Sequence, residues 1–352
     1  MKRVSRAVVR GLAAAGLMTG AVAGAGSAVQ AQKSSAASYK IGFANSLIGN
    51  GWREEMICSA KVQAMTSKTP TSVIVQETQG NTAQMISQIR NMISQGVNAI
   101  IIDPPDATSL NAVIAQAVNK GIKVVVVDQL VTSKLAYQVE NDQVAYGRLG
   151  MEWLAKQLHG HGSVALLQGI AGASADTDRY TGIKAALKEY PGIKVVASPY
   201  TGWQYATGAS DMTTLLNSGK KIDGVWTSGI DYTVVDAFKT AGKPYVPVVG
   251  ADNNGFVQQI INLHSKGFVG GAVTNPSTVG GAGMALALNL LAGKSEPHIQ
   301  KLVPQVWDYA HNAAQLKSVA FTNRGPTFTV QWQVPGFTTY TKTQFLNTCK
   351  GG

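Results

Sequence analysis

From Tyr39 onward, short apolar runs alternate with longer segments of helical period. Ile41-Gly42-Phe43-Ala44, Val73-Ile74-Val75, Ala99-Ile100-Ile101-Ile102 and Val124 to Val127 are too short for helices and are bounded by polar or turn residues, so they predict strands. Trp52 to Met65, Thr82 to Ser94 and Leu110 to Val118 predict the helices between them; in the second, Met85, Ile86, Ile89, Met92 and Ile93 share one face. The strand runs are continuously apolar and do not alternate, which means burial on both faces, as in a parallel sheet covered by helices. Helical crossovers then make right-handed βαβ units. A second cycle starts after Glu140-Asn141-Asp142. Strands are predicted at 164–167, 194–196, 224–226, 246–249 and 269–273, and helices at 146–158, 179–190, 206–216, 234–240, 257–263 and in a last segment ending at Leu291. Two cycles of similar size predict an α/β chain of two similar, doubly wound parallel-sheet lobes.

In an open parallel sheet, ligands sit beyond the carboxyl ends of the strands. The polar or small residues just after predicted strands are Asn45, Ser46, Asp103, Asp128, Gln129, Gly169, Thr227, Ser228, Asp252, Asn253, Thr274 and Asn275. Within the first such loop, Asn50-Gly51-Trp52-Arg53 opens a helix with an amide, an aromatic plane and a guanidinium. Trp203, in Thr201-Gly202-Trp203-Gln204-Tyr205, supplies a second aromatic after a strand of the second lobe. Aromatic faces pack on the C–H face of a sugar, and Asn, Arg and Asp make charge-assisted bonds to vicinal hydroxyls. The plainer alternative, with Trp52 in the core and Arg53 on the helix surface, stays open, and the same two indoles stack a flat ring equally well.

The segment before the first strand changes the picture. Lys2, Arg3, Arg6 and Arg10 precede an uncharged, small-residue-rich stretch from Gly11 to Gly26, and Val29-Gln30-Ala31 offers a cleavage site. Residues 1–31 therefore read as a removable export signal, shorter than the ~20 apolar residues of a membrane span. Residues 32–38 read as a flexible leader. No Cys follows the apolar run and no Arg-Arg pair precedes it, so a free, periplasmic chain is expected. The formal charge is +11, four of it in the signal, and the remaining lysines are scattered. That argues for a solvated basic surface and against nucleic acid as a partner. Cys58 and Cys349 are the two cysteines; an oxidising compartment permits their pairing if the fold brings the chain ends together.

The rest of the sequence carries no complete catalytic motif. Ala292-Gly293-Lys294-Ser295 looks like the end of a phosphate loop, but Leu288 stands where its first glycine belongs. There is no Gly-x-Ser-x-Gly elbow, and the close pair His159 and His161 lies in a glycine turn. No enzyme activity, metal or cofactor is expected.

Leu167 to Arg179, together with Ile41 to Arg53, closely resembles the periplasmic sugar-binding proteins of ABC importers, the ribose- and galactofuranose-binding group. The likeness runs from about Tyr39 to Leu302, and Gly51-Trp52-Arg53 is more similar to the galactofuranose branch. The resemblance implies lobes joined by a three-crossing hinge: 39–141 with 276–304 as lobe 1, and 142–275 with 305–352, including a C-terminal tail, as lobe 2. It implies a monomer that binds a sugar or polyol and works with a permease and an ATPase of the inner membrane. A nucleoside, purine or other small polar metabolite is the alternative ligand. The contacts it implies are Ser46, Asn50, Trp52, Arg53, Asp128, Thr177, Arg179, Trp203 and Asp252. Departures from the ribose pattern fall at Gln129, Thr177, Gly229 and Thr274. These losses argue against ribose and leave room for a larger ligand, or for one with fewer hydroxyls.

Overall fold

In a computed structural model of the chain, residues 38–350 are described. The signal segment 1–31 and the leader as far as residue 37 lie outside them. Lobe 1 starts with β1 (Tyr39–Asn45), α1 (Gly51–Met65), β2 (Thr71–Glu77), α2 (Thr82–Ser94), β3 (Ala99–Asp103), α3 (Asn111–Asn119), β4 (Lys123–Asp128) and β5 (Tyr137–Asn141). Lobe 2 follows with α4 (Gln143–Gln157), β6 (His161–Leu167), α5 (Ser174–Glu189), β7 (Gly192–Ala197), α6 (Tyr205–Asn217), β8 (Gly224–Thr227), α7 (Asp231–Thr240), β9 (Val248–Ala251), α8 (Asn254–Leu263) and β10 (Gly270–Val273). The chain returns to lobe 1 as α9 (Val279–Leu291) and β11 (Ile299–Leu302), then to lobe 2 as β12 (Val306–Asp308) and α10 (Tyr309–Val319), and ends with α11 (Lys342–Thr348).

Each lobe is built on a six-stranded sheet, ordered β11-β5-β4-β3-β1-β2 in the first and β12-β10-β9-β8-β6-β7 in the second. All neighbours pair in parallel except β12, which is antiparallel to β10. The continuous apolar runs do what two-sided burial requires. Ile41, Phe43, Ile101, Val125 and Val127 face Met56 and Ala60 of α1 and Ala282 and Leu286 of α9. Their neighbours Ala44, Ile100, Ile102, Val124 and Val126 face Met85 and Ile89 of α2 and Val113 and Ile114 of α3. The edge strand β11 and its neighbour β5 are not predicted from the sequence, nor are β12, α10 and α11. Gln138, Glu140 and Gln300 break the apolar run in these strands, because they lie at the hinge and the sheet edge and have polar partners there.

The three expected crossings are present, at 141–143, 273–279 and 302–306. The tail adds a fourth. It is expected on lobe 2 as a whole, but lobe 2 holds it only as far as Val330. Val330 still belongs to the lobe 2 core, whereas Val334 and Phe337 pack into the core of lobe 1. Tyr340, Phe345 and Cys349 then cluster with Val62 of α1, and a disulfide joins Cys349 to Cys58.

In lobe 2, α4 and α5 approach so closely that glycines are required. A Cβ at Gly147 would overlap the Arg179 carbonyl, and one at Gly182 would overlap the Val144 carbonyl. Forcing atoms into such a contact costs ~1–3 kcal/mol. Gly147→Ala and Gly182→Ala should each lower unfolding stability by about that amount in chemical denaturation, and the first should also displace Arg179. An unchanged midpoint in both would contradict this packing.

Candidate functional site

The strand ends of both sheets meet in one interlobe cleft. It holds a cavity of about 50 Å³ walled by Asn50, Trp52, Arg53, Asp128, Arg179, Trp203, Tyr205, Ser228, Gly229, Ala251, Asn253 and Asn275.

The lobe 1 wall is built from the start of α1. Asn50 caps this helix, its Oδ1 accepting from the amides of Trp52 at 3.0 Å and Arg53 at 3.3 Å. Such a cap satisfies donors that every helix start leaves open. It also fixes the next two side chains. The Trp52 indole N–H donates to the Asn275 carbonyl at 2.8 Å. Arg53 is 4% exposed; its Nη1 forms an ion pair with Asp103 and donates to Asn45 Oδ1 at 3.3 Å and Ser46 Oγ at 3.5 Å. Burial lowers the Arg53 pKa to about 10; the Asp128 charge opposes that shift and the Arg179 charge adds to it. The group is still cationic at neutral pH. Asp128 takes a left-handed backbone, φ 64°. Its Oδ1 accepts from Asn141 Nδ2 at 3.0 Å and Gln143 Nε2 at 2.8 Å, while Oδ2 has no protein partner among the described residues.

The lobe 2 wall mirrors this design. The Arg179 Nε donates to Gln143 Oε1 at 2.7 Å and its Nη1 to Ser228 Oγ at 2.8 Å, while the guanidinium carbon lies 4.2 Å from the Tyr146 ring centroid. Trp203 is also left-handed, φ 55°, and its indole N–H donates to Ser228 Oγ at 3.0 Å. Gly169 lies against its ring, where any Cβ would overlap the indole. Two of the three non-glycine residues with positive φ among the described residues, Asp128 and Trp203, are thus in the cavity wall. Strained backbone of this kind gathers at ligand sites.

The lobes touch directly across the cleft. Asn50 Nδ2 donates to the Trp203 carbonyl at 2.9 Å, and the Arg53 guanidinium carbon lies 5.7 Å from the Trp203 ring centroid. Leu47 packs on Ala173, Ala175 and Trp203. Helix α5 has no cap from its own N-cap residue, Ala173. Gln129, from the other lobe, serves instead: its Oε1 accepts from the Ala175 amide at 3.1 Å, and its Nε2 holds Asp103 Oδ1 at 3.2 Å.

Of the nine expected contacts, the structure brings Asn50, Trp52, Arg53, Asp128, Arg179 and Trp203 together in the cavity wall. Three stand elsewhere. Ser46 lies behind Arg53, which it supports. Thr177 is exposed and lines a separate hollow with Asp106, Thr132 and Asp178. The helix starts at Ser174 and not at Arg179, so both residues are helical, and two positions apart on a helix point to different sides. Asp252 is buried, its carboxylate held by the Asn275 amide at 2.8 Å and Gln331 Nε2 at 2.5 Å. The tail supplies Gln331, which nothing in the strand pattern pairs with Asp252. Conversely, Ser228, Asn253 and Asn275 are wall residues that the strand-end rule had marked but the family likeness did not choose. Asn253 Nδ2 is bound to Asp231, so this amide is a support as well as a surface.

Burial pushes the Asp252 carboxyl from an ordinary 3.8 up to about 6, against the hydrogen bonds from Asn275 and Gln331; the Asp231 charge adds to the rise. The fold therefore holds this proton more tightly than the unfolded chain does. The stabilisation is complete below about pH 4 and is lost as pH rises through about 6. Asp252→Asn removes the titration, and Gln331 can turn its amide to meet the new donor. The variant should gain about 1 kcal/mol relative to the wild type between pH 5 and pH 7.5, read from unfolding at both values. A difference independent of pH would refute the assignment.

A model described as the periplasmic binding protein domain matches residues 41–295. A xylitol-binding protein of Mycolicibacterium smegmatis is 34% identical over 212 residues, which are 59% of this chain and 60% of that relative; the match thus spans less than two thirds of the relative's length. The arabinose-transporter binding protein of Shewanella, solved with L-arabinofuranose, superposes with TM-score 0.71 at 26% identity over 79% of this chain and 95% of its own. A solute-binding protein from Thermobispora bispora superposes with TM-score 0.75 at 26% identity over 88% of this chain and 94% of its own.

Proposed function

Because the chain belongs to the periplasmic binding protein domain family, we propose that it is the solute-binding component of an ABC importer, capturing a small neutral polyol or sugar between its lobes. The observation that carries this reading is the wall itself. Both indole N–H groups are spent on protein oxygens, so Trp52 and Trp203 offer the cavity apolar ring surface and no donor. That suits C–H surface. The polar atoms left open include Asp128 Oδ2 and guanidinium N–H groups, an acceptor and several donors, as hydroxyls require.

Charge and size narrow the class. The two guanidiniums are balanced by Asp103, paired with Arg53, and by Asp128. A neutral solute keeps that balance, whereas an anion would leave one buried charge in excess. The cavity volume of about 50 Å³ holds about four waters, or about 120 Å³ of liquid. A polyol or pentose of about five carbons is of that order. The names of the relatives, a xylitol binder and a protein holding arabinofuranose, fall in the same class. Export through the 1–31 signal, a monomeric periplasmic carrier, and docking on a permease with its ATPase complete the reading. The protein is then a carrier and not an enzyme.

A thermal-shift panel of four- to six-carbon polyols, pentoses, hexoses, uronates and nucleosides tests it. Xylitol or a pentose should raise the melting temperature by several degrees at saturation, and uronates should not. Arg179→Met should then weaken the best solute by about 2 kcal/mol, or about thirtyfold, because Gln143 and Ser228 lose their partner inside the wall. Stabilisation by nucleosides or anions alone would overturn the proposal.

A further inference from the structure

The tail is not packed as an appendage. Residues 321–329 wrap the start of α8 on lobe 2. Asn254 Nδ2 donates to the carbonyls of Phe321 at 2.9 Å, Arg324 at 3.1 Å and Gly325 at 3.2 Å, and its Oδ1 accepts from the Phe321 amide at 2.8 Å. The Asn254 amide donates to the Phe328 carbonyl at 2.9 Å, and Thr329 bridges to Asn253, a cavity residue. From Val334 onward the same segment belongs to lobe 1. Val334 enters the core under α1 and α9, Thr339 exchanges two hydrogen bonds with Gln63 of α1 at 2.8 and 2.9 Å, and Cys349 is bonded to Cys58 of α1.

Residues 330–333 separate these two sets of attachments along the chain, the sets also touch each other, with Phe328 on Phe345 and Arg324 Nη2 donating to the Leu346 carbonyl at 2.6 Å, and Gln331 is bonded to both lobes. Its Nε2 donates to Asp252 on lobe 2, at the end of β9, and its carbonyl accepts from Thr278 Oγ1 at 2.9 Å, at the start of α9 on lobe 1. Asp252 in turn holds the amide of Asn275, the residue whose carbonyl receives the Trp52 indole. One side chain thus links the tail, the hinge and the aromatic wall. Four intervening residues extend to about 17 Å at most from Thr329 to Val334, so the tail tethers the lobes on a short leash beside the hinge.

We propose that residues 321–350 form a closure strap, with Gln331 as the positioning residue that ties Asp252 to lobe 1 and the Cys58–Cys349 disulfide as its fixed end. The strap biases the lobes toward the closed, solute-gripping arrangement. The effect on affinity rests on the function proposed above, but the effect on lobe closure does not.

The test therefore reads closure in purified, solute-free protein. Small-angle scattering is recorded for the wild type, for Gln331→Glu, which sets two carboxylates against each other, and for Gln331→Glu combined with Asp252→Asn, which restores a donor and an acceptor. A Cys58→Ser/Cys349→Ser variant reports on the fixed end, and far-ultraviolet circular dichroism checks that each variant is folded. Gln331→Glu and the cysteine variant should show a larger radius of gyration than the wild type, and the restored pair should return to it. With xylitol as the probe, or the best solute of the panel, Gln331→Glu should bind about tenfold more weakly, because the closed state is less populated, with recovery in the restored pair. If Gln331→Glu scatters like the wild type, the strap does not control closure and the proposal fails. If no solute of the panel binds but the scattering shifts as stated, the strap stands and the functional reading falls. Should the cysteine variant unfold, scattering and hydrogen exchange of wild-type protein under mild reduction replace it; unchanged hinge protection there also overturns the role of the fixed end.

Discussion

Arg53 is the charge around which lobe 1 is organised. A guanidinium taken out of water costs several kcal/mol unless ion pairing and hydrogen bonds replace its hydration. The replacement comes from three strand ends at once: Asn45, the last residue of β1, Asp103, the last of β3, and, more remotely, Asp128, the last of β4. Those strands must finish at the same level for this to work, and the register does that, with Asn45 opposite Asp103. The helix that carries Arg53 must start beside them, and Asn50 fixes where it starts. The aromatic plane of Trp52 is then set by a helix position whose neighbours are already fixed.

Lobe 2 solves the same problem with different groups. Arg179 is buried without a carboxylate in ion-pair range among the described residues; an amide, a hydroxyl and the face of Tyr146 take that place. Its position depends on the close approach of α4 and α5, where two glycines remove the side chains that would hold the helices apart. The cavity is thus polar on walls that are rigid for unrelated reasons, which keeps its groups open to a solute and costs little reorganisation when one enters.

The alternation of buried strands and amphipathic helices was legible from the sequence because two-sided burial leaves continuous apolar runs. Six of the nine residues expected to meet a solute line one cavity, since the strand ends of a parallel sheet converge there. The misses have specific causes. Thr177 was misplaced because α5 begins five residues earlier than its apolar pattern shows, at small and acidic residues that the other lobe caps. The partner of Asp252, Gln331, is 79 residues away in a segment with no strand or helix period, so their pairing is not visible in the sequence. Edge strands such as β11, half-exposed and interrupted by Gln300 and Lys301, leave little hydrophobic signal. Long-range polar pairing does not show in local pattern, and the tail is built largely from it.

The cap that Gln129 lends to α5 has a wider implication. A helix start left without its cap loses about 1 kcal/mol, and here the loss falls on whichever arrangement separates the lobes. Contacts of this kind, like the bond from Asn50 to the Trp203 carbonyl, reward closure whether or not anything is held inside. A share of empty molecules must therefore present the same outer face as loaded ones, and that share grows about fivefold for every kcal/mol of such solute-independent attraction. On the function proposed above, a membrane partner that reads only the closed face would meet a background of empty carriers set by these few bonds, and would have to distinguish them at a later step than docking.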